Sequence, residues 1–517
     1  MVAEARAAGE SGEYRYAVEL LMESLALDPD PGVARQAAQL ASAVDDWPTA
    51  AEAAGIWLDQ QPDSGQAAQV AAVAALRQGQ LERGVNLLQA RLRDPQDPMD
   101  WSTGIALVAA AGSDDIANSA LERLIDQAGD LAPGYDDFLR SRLAWQLDRR
   151  ARAFELAERA LQAGPDYERA LWAARLARAG ELPERALRYY RQAGAFDPDD
   201  RTAAIAEVEL LEELGRGEQA LKVLDRLPVD ADILYTRGML QQELGRPAAA
   251  GVTWHRMATL DPERAGDRHA WLTAVLAEVL ELDDEAIEWY ARVEGELALR
   301  ADLRRAVLLA GRDEMESARA LLGGIRDQAE GELVEQAWLI EGQILSETGR
   351  NEQAVALLGE ALTRLPESTA LLYARAMAAV NEDNLSLAEQ DLRTIIQNDP
   401  GNAVALNALG YTLSDRTDRQ REAMRLIETA LELEPENAAI LDSMGWVLFK
   451  LGRAGEALPY LRRAVEAEPH PEIVAHLVEV LWALDQRDEA RAVVARTRAD
   501  MGGADVYADT LERIGLE

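Results

Sequence analysis

Apolar residues recur along this chain at helical spacing, in short stripes separated by polar faces. Leu441, Met444 and Leu448 form one stripe, and Leu458, Leu461 and Val465 form the next. Between them lies Gly452, which follows Leu451 where a helix end wants a left-handed residue. Pro469 then closes the second helix, because it lacks the amide that would continue it. The stretch from Asn402 to Pro471 writes this helix–turn–helix unit twice. Gly410 is answered by Gly445, Ala423 by Ala457, Ala430 by Ala464 and Pro435 by Pro469, the last three at a spacing of 34 residues. Gly445 lies midway along a first helix and Ala457 in the facing turn of a second. Two backbones cross closely there, and a Leu at either position would push them apart.

The small turn-side residue keeps phase over the whole chain. It recurs at Ala17, Ala50, Gly84, Ala117, Ala153, Ala186, Ala220, Ala250, Ala286, Ala318, Ala354, Ala388, Ala423, Ala457 and Ala490, at spacings between 30 and 36. The closing proline keeps step at Pro29, Pro62, Pro95, Pro165, Pro198, Pro262, Pro366, Pro400, Pro435 and Pro469. The glycine between helices appears at Gly12, Gly79, Gly112, Gly215, Gly245, Gly349 and Gly452. A period near ~34 is that of the tetratricopeptide repeat (TPR). The expected fold is therefore all-α: a TPR solenoid of about fifteen helix–turn–helix repeats coiled into a right-handed superhelix, its core built between neighbours. We divide it into repeats 1–4 (1–130), a more degenerate middle block (131–330), a C-terminal block with the best repeats (331–500) and a tail (501–517). Asp94–Pro98 with Gly129–Gly134, Leu260–Asp267, and Gly323-Gly324 with Gly331 break the phase and are expected to loosen connections.

Composition agrees with thin helix-on-helix packing: 48% of 517 residues are hydrophobic, yet only 4 are Phe. The 92 acidic residues against 53 basic ones give a formal net charge of −39. Such a field disfavours nucleic acid and anionic lipid, and favours basic partners or a salt-rich setting. Lys222 and Lys450 are the only lysines, which fits either a salt-loving source or a GC-rich genome. No Cys is present, so disulfides, thiol catalysis and cysteine metal sites are ruled out for this chain. The first residues have neither the basic segment nor the apolar core of a signal peptide, and no uncharged apolar run approaches the ~18 residues that would span a bilayer. Gly12 and Ala17 hold standard places in a first repeat whose first helix is short. The expectation is therefore that the native protein extends upstream of Met1.

A search for chemistry finds no GxxxxGK[ST], no HExxH and no GxSxG. Of the four histidines, His255, His269, His470 and His476, the last two stand six apart, which puts them on different helix faces, and His470 sits in a Pro-flanked turn. No metal site, cofactor or catalytic residue is expected. A solenoid offers a surface instead, its concave side lined by the first helix of each pair. Counted from the small-residue positions, the candidate partner contacts are Tyr373, Met377, Asn407, Tyr411, Asp442, Trp446, Lys450, His476, Glu479 and Trp482. Aromatics interleaved with amides and charges suit an extended or helical peptide. The two tryptophans could equally fill space between neighbouring first helices. A clamp for a partner's terminal carboxylate would want paired Lys or Arg here, but Asp442 and Glu479 stand in those places.

Three segments carry a closer resemblance: ALNALGYTLSDRTDR (405–419), AAILDSMGWVLFKLGR (438–453) and AHLVEVLWALDQRDEAR (475–491). With EYRYAVELLMESLALDPDPGVARQAAQLA (13–41) and the tryptophans Trp47 and Trp57, they resemble proteobacterial outer-membrane TPR lipoproteins that partner the periplasmic carboxyl-terminal processing protease. The likeness is specific in the first sixty and last hundred residues; the middle matches by period alone. It implies a non-catalytic adaptor, lipid-anchored on the periplasmic side of the outer membrane. Such an adaptor holds the protease and presents substrates such as peptidoglycan cross-link hydrolases. Two features depart from that family: its lipid-bearing Cys is missing, and Val478 stands where its motif has Gly. The rival readings are a structural TPR scaffold for exopolysaccharide secretion or outer-membrane assembly, and an enzyme whose catalytic domain lies upstream of Met1.

Overall fold

The computed structural model describes residues 1–94, 98–261, 268–501 and 505–516. Among these there are 31 α-helices, one short 3-10 turn and no strand. The helices form fifteen successive pairs, from Val2–Glu10 with Tyr14–Leu27 to Pro471–Ala483 with Arg487–Met501, and a single helix, Asp505–Ile514, follows. The expected all-α TPR solenoid is the fold. The chain divides into two compact units, one of residues 1–229 with 243–246 and one of residues 230–242 with 247–517.

The repeat signals do the physical work expected of them. The fourteen turn-side alanines are each 0% exposed, and Gly84 is buried with them. A Cβ added at Gly445 would sit 2.5 Å from Leu461 Cγ and 3.3 Å from the Ala457 carbonyl oxygen, so the helices meet too closely for any side chain. At Gly410 the same atom would lie 2.5 Å from Ile427 Cγ1. Pro29, Pro62, Pro165, Pro198, Pro366, Pro400, Pro435 and Pro469 each stand two residues beyond the last residue of a helix. Pro95 and Pro262 lie outside the described residues.

The turn inside each pair shows what the glycine pattern alone does not. All seven glycines named above have positive φ, from +66° to +85°. In seven other pairs the same place holds Asp45, Asp148, Glu181, Glu281, Asp313, Asp383 or Asp485, each with φ between 55° and 62°. The left-handed residue ends the first helix, and the next amide reaches back to it: Asp46 N to Ala41 O, and Arg453 N to Leu448 O, each at 2.9 Å. Asp tolerates this backbone better than most residues, and β-branched side chains tolerate it worst. The pair Ala403–Arg416 and Gln420–Leu433 turns differently: Thr417 is extended and its hydroxyl donates to the Leu413 carbonyl at 2.6 Å.

One irregularity was misjudged. Gly323 and Gly324 lie inside the helix Met315–Gln328, where buried Ala318, Leu322 and Ile325 keep the helical stripe. The glycines sit off that stripe and meet only the tips of Arg326 and Gln328 in their own helix, so nothing there breaks it. Gly129 and Gly134 do interrupt regular structure, both with positive φ, as does Gly331. The breaks at 95–97 and 262–267 fall outside the described residues. Val478, in place of the small crossing residue, is fully buried, and the helix Asp505–Ile514 packs against its own helix, Pro471–Ala483.

Candidate functional site

The candidate residues belong to four consecutive first helices: Thr369–Asn381, Ala403–Arg416, Ala438–Lys450 and Pro471–Ala483. Each begins at a defined place. Ser368 accepts a hydrogen bond from Leu371 N, Asn402 from Ala405 N, and Asn437 from Ala439 N and Ile440 N. Pro471 opens the fourth helix, its fixed φ suited to that position. With the starts fixed, Tyr373, Asn407 and Asp442 occupy the fifth residue of their helices and His476 the sixth of the last. One turn further on come Met377, Tyr411 and Trp446. Repetition thus turns a sequence period into a ladder of side chains.

Five of the candidates, Tyr373, Met377, Asn407, Tyr411 and Asp442, line a single open cleft of about 460 Å³. Asn407 Oδ1 is buried with no hydrogen-bond partner among the described residues. The Tyr411 hydroxyl donates to Glu472, and burial with this carboxylate drives the phenol far above its ordinary range. Burial raises Tyr373 as well.

Asp442, Trp446 and His476 were expected as exposed contacts, but they are buried; Trp446 is 6% exposed. The reason lies in the neighbouring repeats. His476 stacks on the Trp446 indole, ring centres 4.0 Å apart and 17° from parallel, and its Nδ1 lies 2.9 and 3.0 Å from the two Asp442 oxygens. Trp446 Nε1 donates to Asp415 Oδ1 at 3.2 Å, and Lys450 Nζ reaches the same oxygen at 3.3 Å while lying over the indole. The tryptophan therefore fills the space between first helices, and only an edge of this cluster, at Asp442, faces the cleft. Burial disfavours the charged imidazole, but the Asp442 carboxylate, with Glu472 and Glu479 nearby, outweighs it and raises the His476 pKa. Burial also raises Asp442. The pair holds its proton more tightly than either group would in water.

The remaining candidates are drawn away from the cleft. Glu479 pairs with Arg513 of the last helix at 2.6 Å, and Trp482 lies under the Arg487 guanidinium. Sequence reasoning missed Val404, Asn437, Glu468, His470, Glu472 and Ile473, which also line the cleft. Most stand about one helical turn before the ladder or in the loop preceding a first helix. Extending the count one turn backwards would have found Glu472 and Val404. Among the described residues no group of three His, Asp or Glu is placed to hold a metal ion, and no helix is long and apolar enough to cross a membrane.

Two family models described as tetratricopeptide repeat match the chain, one at residues 448–514 and one at 341–403 and 415–471. The chain is similar to TPR repeat-containing protein PA4667 of Pseudomonas aeruginosa, 40% identical over 205 residues, which cover 40% of this chain and 35% of that protein. It therefore spans about a third of that relative's length. Among solved structures, a tetratricopeptide repeat protein from Parabacteroides merdae aligns with 48% of this chain and 98% of its own, at 15% identity and a TM-score of 0.41. A thermophilic TPR protein of Thermus thermophilus aligns with 35% of this chain and 97% of its own, at 26% identity and a TM-score of 0.32. The fold and these repeats define the class: a TPR solenoid, a scaffold for protein–protein interaction.

Proposed function

We propose that the chain is a non-catalytic adaptor that holds a periplasmic carboxyl-terminal processing protease and presents protein substrates to it, peptidoglycan cross-link hydrolases among them. In this reading the native protein is a lipoprotein on the periplasmic side of the outer membrane. The observation that carries the binding role is the cleft of about 460 Å³ on four consecutive first helices, walled by Tyr373, Met377 and Tyr411. Large aromatic and thioether side chains around a recess give a partner segment apolar area to bury. The choice of partner rests on the segments 405–419, 438–453 and 475–491, which resemble the protease-binding lipoproteins. The mechanism is effective concentration: a scaffold that binds protease and substrate together makes their encounter nearly intramolecular.

The test is a pull-down with the whole chain from an envelope extract of the organism that makes it, read by mass spectrometry. The expected catch is a carboxyl-terminal processing protease with cell-wall hydrolases beside it. Adding the chain to the purified pair should then speed hydrolase degradation. Export or assembly components without that protease would overturn the reading.

A further inference from the structure

The same cleft has a charge pattern that names the chemistry of its occupant. The part lined by the first two helices is apolar in Tyr373, Met377, Val380 and Val404, and Val404 is 52% exposed. The third and fourth helices and the connection between them carry Asp442, Glu468 and Glu472, beside His470 and Ile473, and among the described residues no lysine or arginine lines the cleft. Asp442 is balanced by His476, whereas Glu472 accepts from the neutral Tyr411 hydroxyl, and Glu468 is exposed. Asn407, on the second helix with Val404, also lines the cleft, with its buried Oδ1 unbonded among the described residues. Three carboxylates and no lysine or arginine thus share a recess with an apolar stretch. We infer that this cleft takes an extended segment of a partner protein in which a lysine or arginine stands beside an apolar residue. The apolar side chain lies against Met377 and Val404, and the cation faces Glu468 and Glu472.

The inference rests on the scaffold reading and adds to it the selectivity of one site. Carboxylates in a recess attract a cation more strongly than the same groups in open solvent, because less water screens them. The apolar stretch accepts the aliphatic stem of Lys or Arg, so one side chain can satisfy both parts. A segment bearing Asp or Glu would meet like charge, which costs affinity and selects against it.

The probe is a fluorescein-labelled heptapeptide of alternating leucine and lysine, followed by anisotropy on the whole chain. Matched peptides carry Gln or Glu in place of Lys. The lysine peptide should bind at least about tenfold tighter than the Gln peptide, and the Glu peptide weakest. The double variant Glu468→Gln/Glu472→Gln should lose most of that preference. Glu468→Gln alone, at an exposed position, should lose about threefold, and it keeps the test decisive if the Tyr411 contact makes Glu472→Gln unstable. The control is Glu352→Gln/Glu360→Gln, exposed on the helix Asn351–Arg364 outside the cleft; it removes as much charge and should change nothing. Equal loss in the control would overturn the inference in favour of general attraction to an acidic chain. So would equal binding of the three peptides, or self-association that covers the cleft. The outcomes also separate the two claims. Lysine selectivity with no protease in the pull-down sinks the adaptor identity and leaves the cleft chemistry standing; protease capture without lysine selectivity does the reverse.

Discussion

Two first helices of this solenoid bury their surfaces in different ways. In Pro31–Ala43 the buried residues are four alanines, Ala34, Ala37, Ala38 and Ala41, all on one side. In Ala438–Lys450 ten of 13 residues are buried, among them Asp442, Ser443 and Trp446. The alanine helix is packed by close backbone approach and leaves its other side to water. The C-terminal helix has a neighbour on nearly every side, because the His476 ring of the following repeat covers the Trp446 face that would otherwise be open. Burial on the first-helix side is therefore a product of two repeats. It seals a polar pair beneath a recess, which gives the cleft a fixed floor.

The largest expected contrast comes from removing a tryptophan in each region. Trp446→Ala deletes a buried ring and strands the His476–Asp442 pair, and should cost about 3–5 kcal/mol. Trp47→Ala, at a half-buried position capped by Arg77, should cost roughly half of that or less. Chemical denaturation of the two variants measures the difference; equal losses would break the comparison. Ala457→Leu comes next. It forces a large side chain into the crossing beneath Gly445, and a loss of about 1–3 kcal/mol is expected in the same experiment.

A third contrast is in pH. The His476 pKa is raised in the folded protein. Its contribution to stability is thus fully present below the unfolded histidine value of ~6.5 and fades as pH rises through the folded value. The melting-temperature advantage of the wild type over His476→Gln should shrink from pH 6 to pH 9, while Pro31–Ala43, which has no buried ionisable group, contributes nothing to this trend. The smallest effects belong to the turns. Gly79→Ala must hold φ near +74° and should cost about 1 kcal/mol, whereas Asp45→Gly exchanges strain for chain entropy and should stay within about 0.5 kcal/mol of neutral.

The repeats were legible because each signal has one local cause. A backbone crossing demands Ala or Gly, and a helix end welcomes Pro two residues later. The acidic left-handed turns at Asp45 or Asp313 were not legible, because Asp and Glu are also the ordinary surface residues of so acidic a chain. The ladder from Tyr373 to His476 followed from counting. The burial of Trp446 did not, since it depends on a ring thirty residues later whose orientation is set by Asp442. Glu472 was missed for a related reason: its partner, the Tyr411 hydroxyl, lies 61 residues earlier in the chain.

The most direct test of the account places an obstacle in the cleft without disturbing the fold. Val404→Arg, at an exposed lining position, adds bulk there and brings positive charge to a cleft lined, among the described residues, by no lysine or arginine. The variant and the wild type are compared in the same pull-down from an envelope extract, with melting temperatures measured alongside. The account predicts an unchanged melting temperature and loss of the partner proteins that the wild type recovers. Full recovery of the same partners by a folded Val404→Arg chain would contradict it.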